Sequence, residues 1–263
     1  MNNRAAAVVR LLDKLYDMKK IFLTTAVLAL AAGAFAAERN VTVGNFSGIN
    51  ASGNIEIEYR VGSPSLRLVG DSREIAAVDV RLMGQMLNID APVAGEVKAY
   101  LYGPVSNTFI LNSLAELDVE SDLDLGNRTF SVRAGDNSSA DFSNVSCGPA
   151  TFAVSALADV DVDRLDARSF NANVLNNGEL SVDALDTNAA SATVADIAEL
   201  KIKGGTARSI NFNASGSSVV KASRLTAGSG QAIARGSSLI EVNVSGKFTS
   251  RSTDSASVSN INK

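Results

Sequence analysis

The 263-residue chain has no histidine, no tryptophan, one cysteine and four prolines, and aromatic residues make up only 5% of it. Each shortage removes a class of explanation. Without histidine there is no imidazole base, no imidazole metal ligand and no unperturbed side chain that titrates between pH 5 and 8. Cys147 stands alone, so it closes no internal disulfide, and a disulfide-stapled scaffold is excluded. It is also far from the expected signal cleavage site, which excludes a lipid anchor there. With no histidine to activate it, Cys147 reads as a small buried filler. No phosphate-binding glycine loop, zinc-ligand spacing or serine-nucleophile motif occurs. A basic surplus is missing too: 24 Lys and Arg face 28 Asp and Glu, for a formal charge of −4. Removing residues 1–36 takes away five basic and two acidic side chains, leaving a charge near −7. That balance argues against a nucleic-acid partner.

What is present is a repeat. Rows beginning at Thr151, Asn171, Ser191, Asn211 and Gln231 align without gaps. Their tenth positions are Val160, Leu180, Leu200, Val220 and Ile240, and their twelfth are Val162, Val182, Ile202, Ala222 and Val242. Second positions are Phe152, Ala172, Ala192, Phe212 and Ala232; fourth positions are Val154, Val174, Val194, Ala214 and Ala234. The eighth is always small: Ala158, Gly178, Ala198, Ser218 and Ser238. Self-similarity at a period of about 20 residues marks a solenoid. Apolar residues two apart describe a strand with one buried face. Helical spacings of three and four are absent, as is the leucine-rich-repeat pattern. The rows therefore predict an all-β fold, a right-handed parallel β-helix whose strands stack about 4.8 Å apart. The small eighth column predicts a tight corner.

Two imperfect rows precede the regular five. In the first, Phe109, Leu111, Leu117 and Val119 take the strand positions; in the second, Phe130, Val132, Ala140 and Phe142 do. The second row is longer, which predicts a protruding loop at Gly135-Asp136-Asn137-Ser138, and insertions in solenoids often lie on the binding face. From Arg251 onward the pattern decays into a polar cap or tail. Gly204-Gly205 interrupts a leucine column and predicts a bulge or turn.

Met18–Ala36 reads as a secretory signal, with Lys19 and Lys20 before an apolar run and Ala34-Phe35-Ala36 as the cleavage motif. Residues 1–17 are an upstream extension or a mis-assigned start. No stable membrane insertion is expected after cleavage, because the apolar run is short for a bilayer.

Residues 37–107 are an N-terminal β region that enters and caps the solenoid of residues 108–250. Ile55–Tyr59 and Leu66–Val69 alternate cleanly around a turn at Gly62-Ser63-Pro64. Asp71 caps a short helical turn through Ile75, and strands follow near Val78–Leu82 and Met86–Ile89. Val97, Ala99 and Leu101 make a strand leading into the solenoid, between bends at Pro92 and Pro104. The run Phe46-Ser47-Gly48-Ile49-Asn50-Ala51-Ser52-Gly53-Asn54-Ile55, then Ile57-Glu58-Tyr59, Leu66-Arg67-Leu68-Val69-Gly70-Asp71 and Leu87-Asn88-Ile89, resembles the start of the head GIN domain family. The resemblance runs from about Asn40 to the last rows. It implies a β-helix-like fold and a bacterial envelope location, and it carries no catalytic residues. The outer-membrane barrel of an auto-transporter is not expected here, since the rows run almost to Lys263.

The candidate binding residues are acidic. Asp159, Asp161, Asp163 and Asp166 lie on one row, with Glu179, Asp183 and Asp186 one coil above. Carboxylates two apart share a strand face, and stacking brings the next pair within about 5 Å. Such a wall could hold a calcium ion or an acid/base pair. An ordinary solvated face is the alternative, since Lys201, Lys203 and Lys221 continue the columns. Asp136 and Asn137 join the candidates through the expected loop. Asn171, Asn173, Asn211 and Asn213 are expected to form ladder or backbone bonds.

No cofactor or metal is called for. The expected role is an exported, non-enzymatic solenoid that binds a surface glycan or an envelope protein. A polysaccharide-active enzyme using Arg164, Arg168 and Lys201 beside the carboxylates is one alternative, and a structural envelope protein is another. The oligomeric state is left open.

Overall fold

A computed structural model of the chain describes residues 37–262. The expected signal, Met18–Ala36, and the segment upstream lie outside the described residues. The rows form parallel stacked coils, a β-solenoid of about 8 turns. The predicted columns are vertical ladders: Val160, Leu180, Leu200, Val220 and Ile240 are successive register partners and are all fully buried.

The sequence pattern implies two short strands per row, but the structure builds longer ones. β12 (Ser139–Val154), β13 (Asp159–Val174), β14 (Glu179–Val194) and β17 (Val219–Ala234) each run 16 residues. Along β13 the in-out alternation slips twice, at Asp163-Arg164 and at Arg168-Ser169. Each slip is a bend that turns the strand onto a new side. A coil thus has three sides: residues 159–162, a short side at 165–167, and a third at 170–174 that the next row continues. The short side adds the buried columns of Leu165, Leu185 and Leu225 and of Ala167, Ala207 and Ala227. β15 (Glu199–Ile202), β16 (Gly205–Ala214) and β18 (Leu239–Val244) complete the regular coils. β15 and β16 are one long strand broken at the expected glycines. Gly205 holds φ at 106°, and a Cβ there would lie 2.1 Å from the Leu185 carbonyl oxygen, so only glycine fits.

The third corner is the tight turn predicted from the small column. Ala158, Ala198, Ser218 and Ser238 are buried inside it; Ser218 Oγ closes it by accepting from Ser215 N–H at 3.2 Å and ties it to the preceding coil by donating to the Val194 carbonyl at 2.9 Å. Both central residues have positive φ at Ser113-Leu114, Asp136-Asn137, Ala156-Leu157 and Asn176-Asn177. In later coils only the first does, at Asp196, Gly216, Gly236 and Asp254. The corner therefore changes from type I′ to type II′ geometry along the solenoid. Inter-coil bonds reverse with it: Leu157 N–H donates up to the Asn176 carbonyl, whereas Ser217 N–H donates down to that of Asp196.

Gly135–Ser138 is one of these turns, not a protruding loop. The extra residues lie in the preceding coil. β8 (Thr108–Asn112) and β9 (Glu116–Val119) pair with β11 (Phe130–Ala134) and β12, and β10 (Leu123–Asp124) with Val145-Ser146. The added length is absorbed around β10 and the turn at Leu125–Arg128. Asn and Asp adopt positive φ readily, so Asp136-Asn137 suits the common corner.

The N-terminal coils stack out of chain order. β2 (Gly48–Ser52) lies between β8 and β6 (Met86–Asp90), and β3 (Ile55–Val61) lies between β9 and β7 (Val97–Gly103). The strand at Val97–Leu101 therefore does not lead directly into the rows; it sits one coil beyond β3. β4 (Ser65–Gly70) and β5 (Asp79–Met83) pair antiparallel with β7 and β6. β1 (Ala37–Val41) pairs with β4. Between β4 and β5 lies α1 (Ser72–Ala77), capped by Asp71, whose carboxylate accepts from Arg73 N–H at 2.8 Å. Antiparallel strands thus close this end, where a parallel edge would otherwise stay open. At the other end β19 (Phe248–Ser252) and β20 (Ser257–Asn260) add a further, largely exposed coil.

Ring contacts fill the wide part of the interior. Phe109, Phe130, Phe142, Phe152 and Phe170 form a continuous aromatic cluster that reaches Tyr59 through Phe109.

Candidate functional site

Charge is sorted by side. On the side built from β7, β3, β9 and residues 139–142, 159–162, 179–182 and 199–202, outward positions are mostly ionisable. One outward column runs Tyr100, Glu58, Asp118, Asp141, Asp161, Ser181, Lys201, Lys221, Glu241. Its neighbour carries Lys98, Glu56, Glu116, Ser139, Asp159, Glu179 and Glu199. Stacking at about 4.8 Å sets each side chain against its equivalents on adjacent coils.

Both ends of this wall are neutralised. Lys98 meets Glu56 at 2.8 Å and Glu58 at 3.0 Å, which raises its pKa, and Arg60 pairs with Glu120. Lys201 pairs with Glu179 and, at 3.2 Å, with Glu199; Lys221 meets Glu199 at 2.8 Å, and Lys203 meets Asp183 at 2.7 Å. Two of the sequence candidates, Glu179 and Asp183, are therefore held in ion pairs.

The middle is not neutralised. Asp118, Asp141, Asp159, Asp161 and Asp163 have no ion pair among the described residues. Desolvation first, and the facing Asp161 and Asp118 next, raise the pKa of Asp141. Desolvation and then Asp161 raise that of Asp159, and desolvation and then Glu120 raise that of Asp118. Asp118, Asp141, Asp161 and Asp163 line a shallow recess of about 130 Å³ with Phe142 and Ser143. Asp118 and Asp141 are not among the sequence candidates: Asp141 stands a regular 20 residues before Asp161, whereas the longer coil that follows Asp118 hides its register with Asp141. Among the described residues, no group of three or more carboxylates or thiols stands in a metal-holding arrangement. Asp166 is exposed on the short side, and Asp186 there accepts from Arg164 at 3.0 Å and from Thr206. Asp136 and Asn137 belong to the tight turn, away from the recess. Cys147 is buried, and burial pushes its thiol up to about 11, so it is protonated and inert near neutral pH.

The side formed by residues 149–154, 169–174, 189–194 and 209–214 is almost free of charge. Its outward columns read Thr108, Ser131, Thr151, Asn171, Ser191, Asn211, Gln231, Thr249, and then Ile110, Arg133, Ala153, Asn173, Thr193, Asn213, Ile233, Arg251. The expected asparagine ladder does not form. Ser191 and Thr193 separate Asn171 and Asn173 from Asn211 and Asn213, so the amides lie two coils apart, beyond hydrogen-bonding reach of one another.

Comparison with known proteins places this geometry. The family model described as "Putative auto-transporter adhesin, head GIN domain" matches residues 45–263. No curated protein matches the chain. A crystal structure of a "putative adhesin" from Parabacteroides merdae has a TM-score of 0.78 at 14% identity, over 87% of this chain and 97% of that one. One from Parabacteroides distasonis has 0.76 at 13% identity, over 87% and 98%. A "putative lipid binding protein" from the same species has 0.51 at 15% identity, over 87% and 98%. At such identities these likenesses bear on fold alone.

Proposed function

The chain belongs to the head GIN domain family, and on that premise we propose that it is an exported, non-enzymatic, adhesin-like protein of the bacterial envelope. It binds a surface glycan or an envelope protein through the flat outer sides of the solenoid. The observation that supports this reading is the charge sorting of those sides. Stacked coils hold outward side chains in straight ranks at a fixed rise, over a core of interlocked apolar ladders. A surface so regular suits recognition of an extended partner without any induced fold change.

The test is topological first. Cells producing the protein with a C-terminal tag are treated intact with protease, alongside a periplasmic control. Loss of the tag while the control survives is expected. Loss only after the outer membrane is opened would remove adhesion, leaving a periplasmic partner to be sought by crosslinking.

A further inference from the structure

A two-coil repeat is superposed on the one-coil repeat. At the corner where the short side meets the uncharged side, the stacked positions are Arg128, Gly148, Arg168, Asn188, Arg208 and Gly228. Arginine alternates with a small residue, so the guanidinium-bearing positions recur every second coil, about 10 Å apart. Glycine is needed at Gly148, where a Cβ would lie 2.4 Å from the Asn127 carbonyl oxygen, and one on Gly228 would press at 3.0 Å on that of Arg208. All three arginines are exposed. Among the described residues none pairs with a carboxylate, and Arg128 donates to the Leu125 and Val105 carbonyls at 3.4 and 3.5 Å.

The uncharged side follows the same alternation. The coil carrying Arg168 presents Asn171 and Asn173, and the coil carrying Arg208 presents Asn211 and Asn213. The Arg168 and Arg208 stations each therefore offer a cationic fork and two amides on one edge-to-face line, 40 residues apart, while the Arg128 coil presents Ser131 and Arg133 in their place. The guanidinium fork matches a carboxylate or sulfate, and the amide both donates to and accepts from a hydroxyl.

We propose that the uncharged side and its arginine edge bind a linear acidic polysaccharide lying along the solenoid axis, in which charged and neutral sugars alternate. This rests on the adhesin-like reading above and names its ligand class. Such a polymer carries its acid groups one disaccharide apart, a rise comparable to two coils. The carboxylate wall on the other side repels the polymer and confines it to this one. Nucleic acid fits poorly, because its phosphates recur about every 3.4 Å along a strand. An anionic bilayer fits poorly as well, since it draws on a cluster of about 4–8 basic residues, and here the edge arginines are spaced along the solenoid with, among the described residues, only Arg133 and Arg251 on the side itself.

The full-length chain is tested by surface interferometry against immobilised hyaluronan and unsulfated chondroitin, with neutral dextran, single-stranded DNA and phosphatidylserine vesicles as comparators. Binding to at least one of the two alternating acidic polymers is expected, weakening as salt rises. Arg168→Gln with Arg208→Gln should weaken it about tenfold, a size suited to two solvent-exposed ion contacts, and lessen its salt dependence. Lys203→Gln, on the carboxylate wall, should leave binding unchanged. A thermal melt checks that the double variant still folds, as expected for exposed, unpaired side chains. Equal binding by wild type and double variant overturns the site. Tighter binding to DNA or vesicles than to either polysaccharide overturns the ligand class. Binding to none of these, in a protein whose tag is shaved from intact cells, overturns the inference and leaves the adhesin-like reading standing. If the tag is protected, that reading falls separately.

Discussion

Asp141 and Asp161 are register partners on adjacent coils, and their carboxylates leave the same side one strand spacing apart with no cation between them. Like charges stacked this way are destabilising. The pKa of Asp141 is raised, so the folded chain holds its proton where the unfolded chain has already lost it. By linkage, stability is lowest with the group ionised and recovers as pH falls through the raised value toward the ordinary carboxylate range. Asp118 and Asp159 shift the same way. At Glu199 the upward push of burial is outweighed by Lys221 and Lys201, so its contribution is lost only as pH falls below the ordinary range. Melting temperature should therefore rise as pH goes from 7 to about 5. Asp141→Asn should add about 0.5 kcal/mol at pH 7 and flatten that slope. A melting temperature that falls steadily from pH 7 to 5 would contradict this account.

Phe130 is fully buried, with Phe142 at 5.1 Å edge-on, Phe152 at 5.7 Å and Phe109 at 5.9 Å. Neighbouring strands are fixed by the ladders and cannot collapse into a void. Phe130→Ala should cost about 3–5 kcal/mol, read from urea unfolding. A loss under about 1 kcal/mol would mean that the coil relaxes around the cavity.

Leu157 stands exposed in the tight turn with φ at 66°. A left-handed conformation costs a non-glycine residue roughly 1–2 kcal/mol, less for asparagine. The corresponding positions in neighbouring coils are Asn137 and Asn177, which share that conformation. Leu157→Asn should accordingly stabilise by about 1 kcal/mol. No gain in midpoint would show that the leucine is compensated by a contact of its own.

Gly205→Ala should do the opposite. It places a methyl against the Leu185 backbone at a φ that alanine avoids, and a loss of about 3 kcal/mol or more is expected. Gly84, also at positive φ but with open space around it, should lose less on the same change. Equal losses at the two glycines would remove the steric argument.

The one-coil repeat was legible because a solenoid interior imposes the same demand on every turn. Val160 and its column must be apolar, Ala158 and its column must be small, and twenty residues separate them each time. The candidate site was legible only in part. Asp159, Asp161 and Asp163 announce themselves as neighbours in the chain. Asp141 stands one regular period before Asp161 in the same outward column, but three residues absorbed around β10 displace Asp118 from a simple count. The arginine row was written at a period of 40 residues, which a search at 20 averages away.

By itself the sequence determined that strands would stack, which residues would face inward and where the tight corner would fall, because alternation and residue size act locally. Only the tertiary structure decided the order of stacking. β2 and β6 present similar alternating faces, and nothing local says which of them should meet β8. The chain places β2 there and sends β6 outward, because β4, α1 and β5 fold back to cover the end, which leaves β6 and β7 beneath an antiparallel lid. Pairing partners in a parallel stack are chosen by which edge is left uncovered, and that is a property of the assembled molecule.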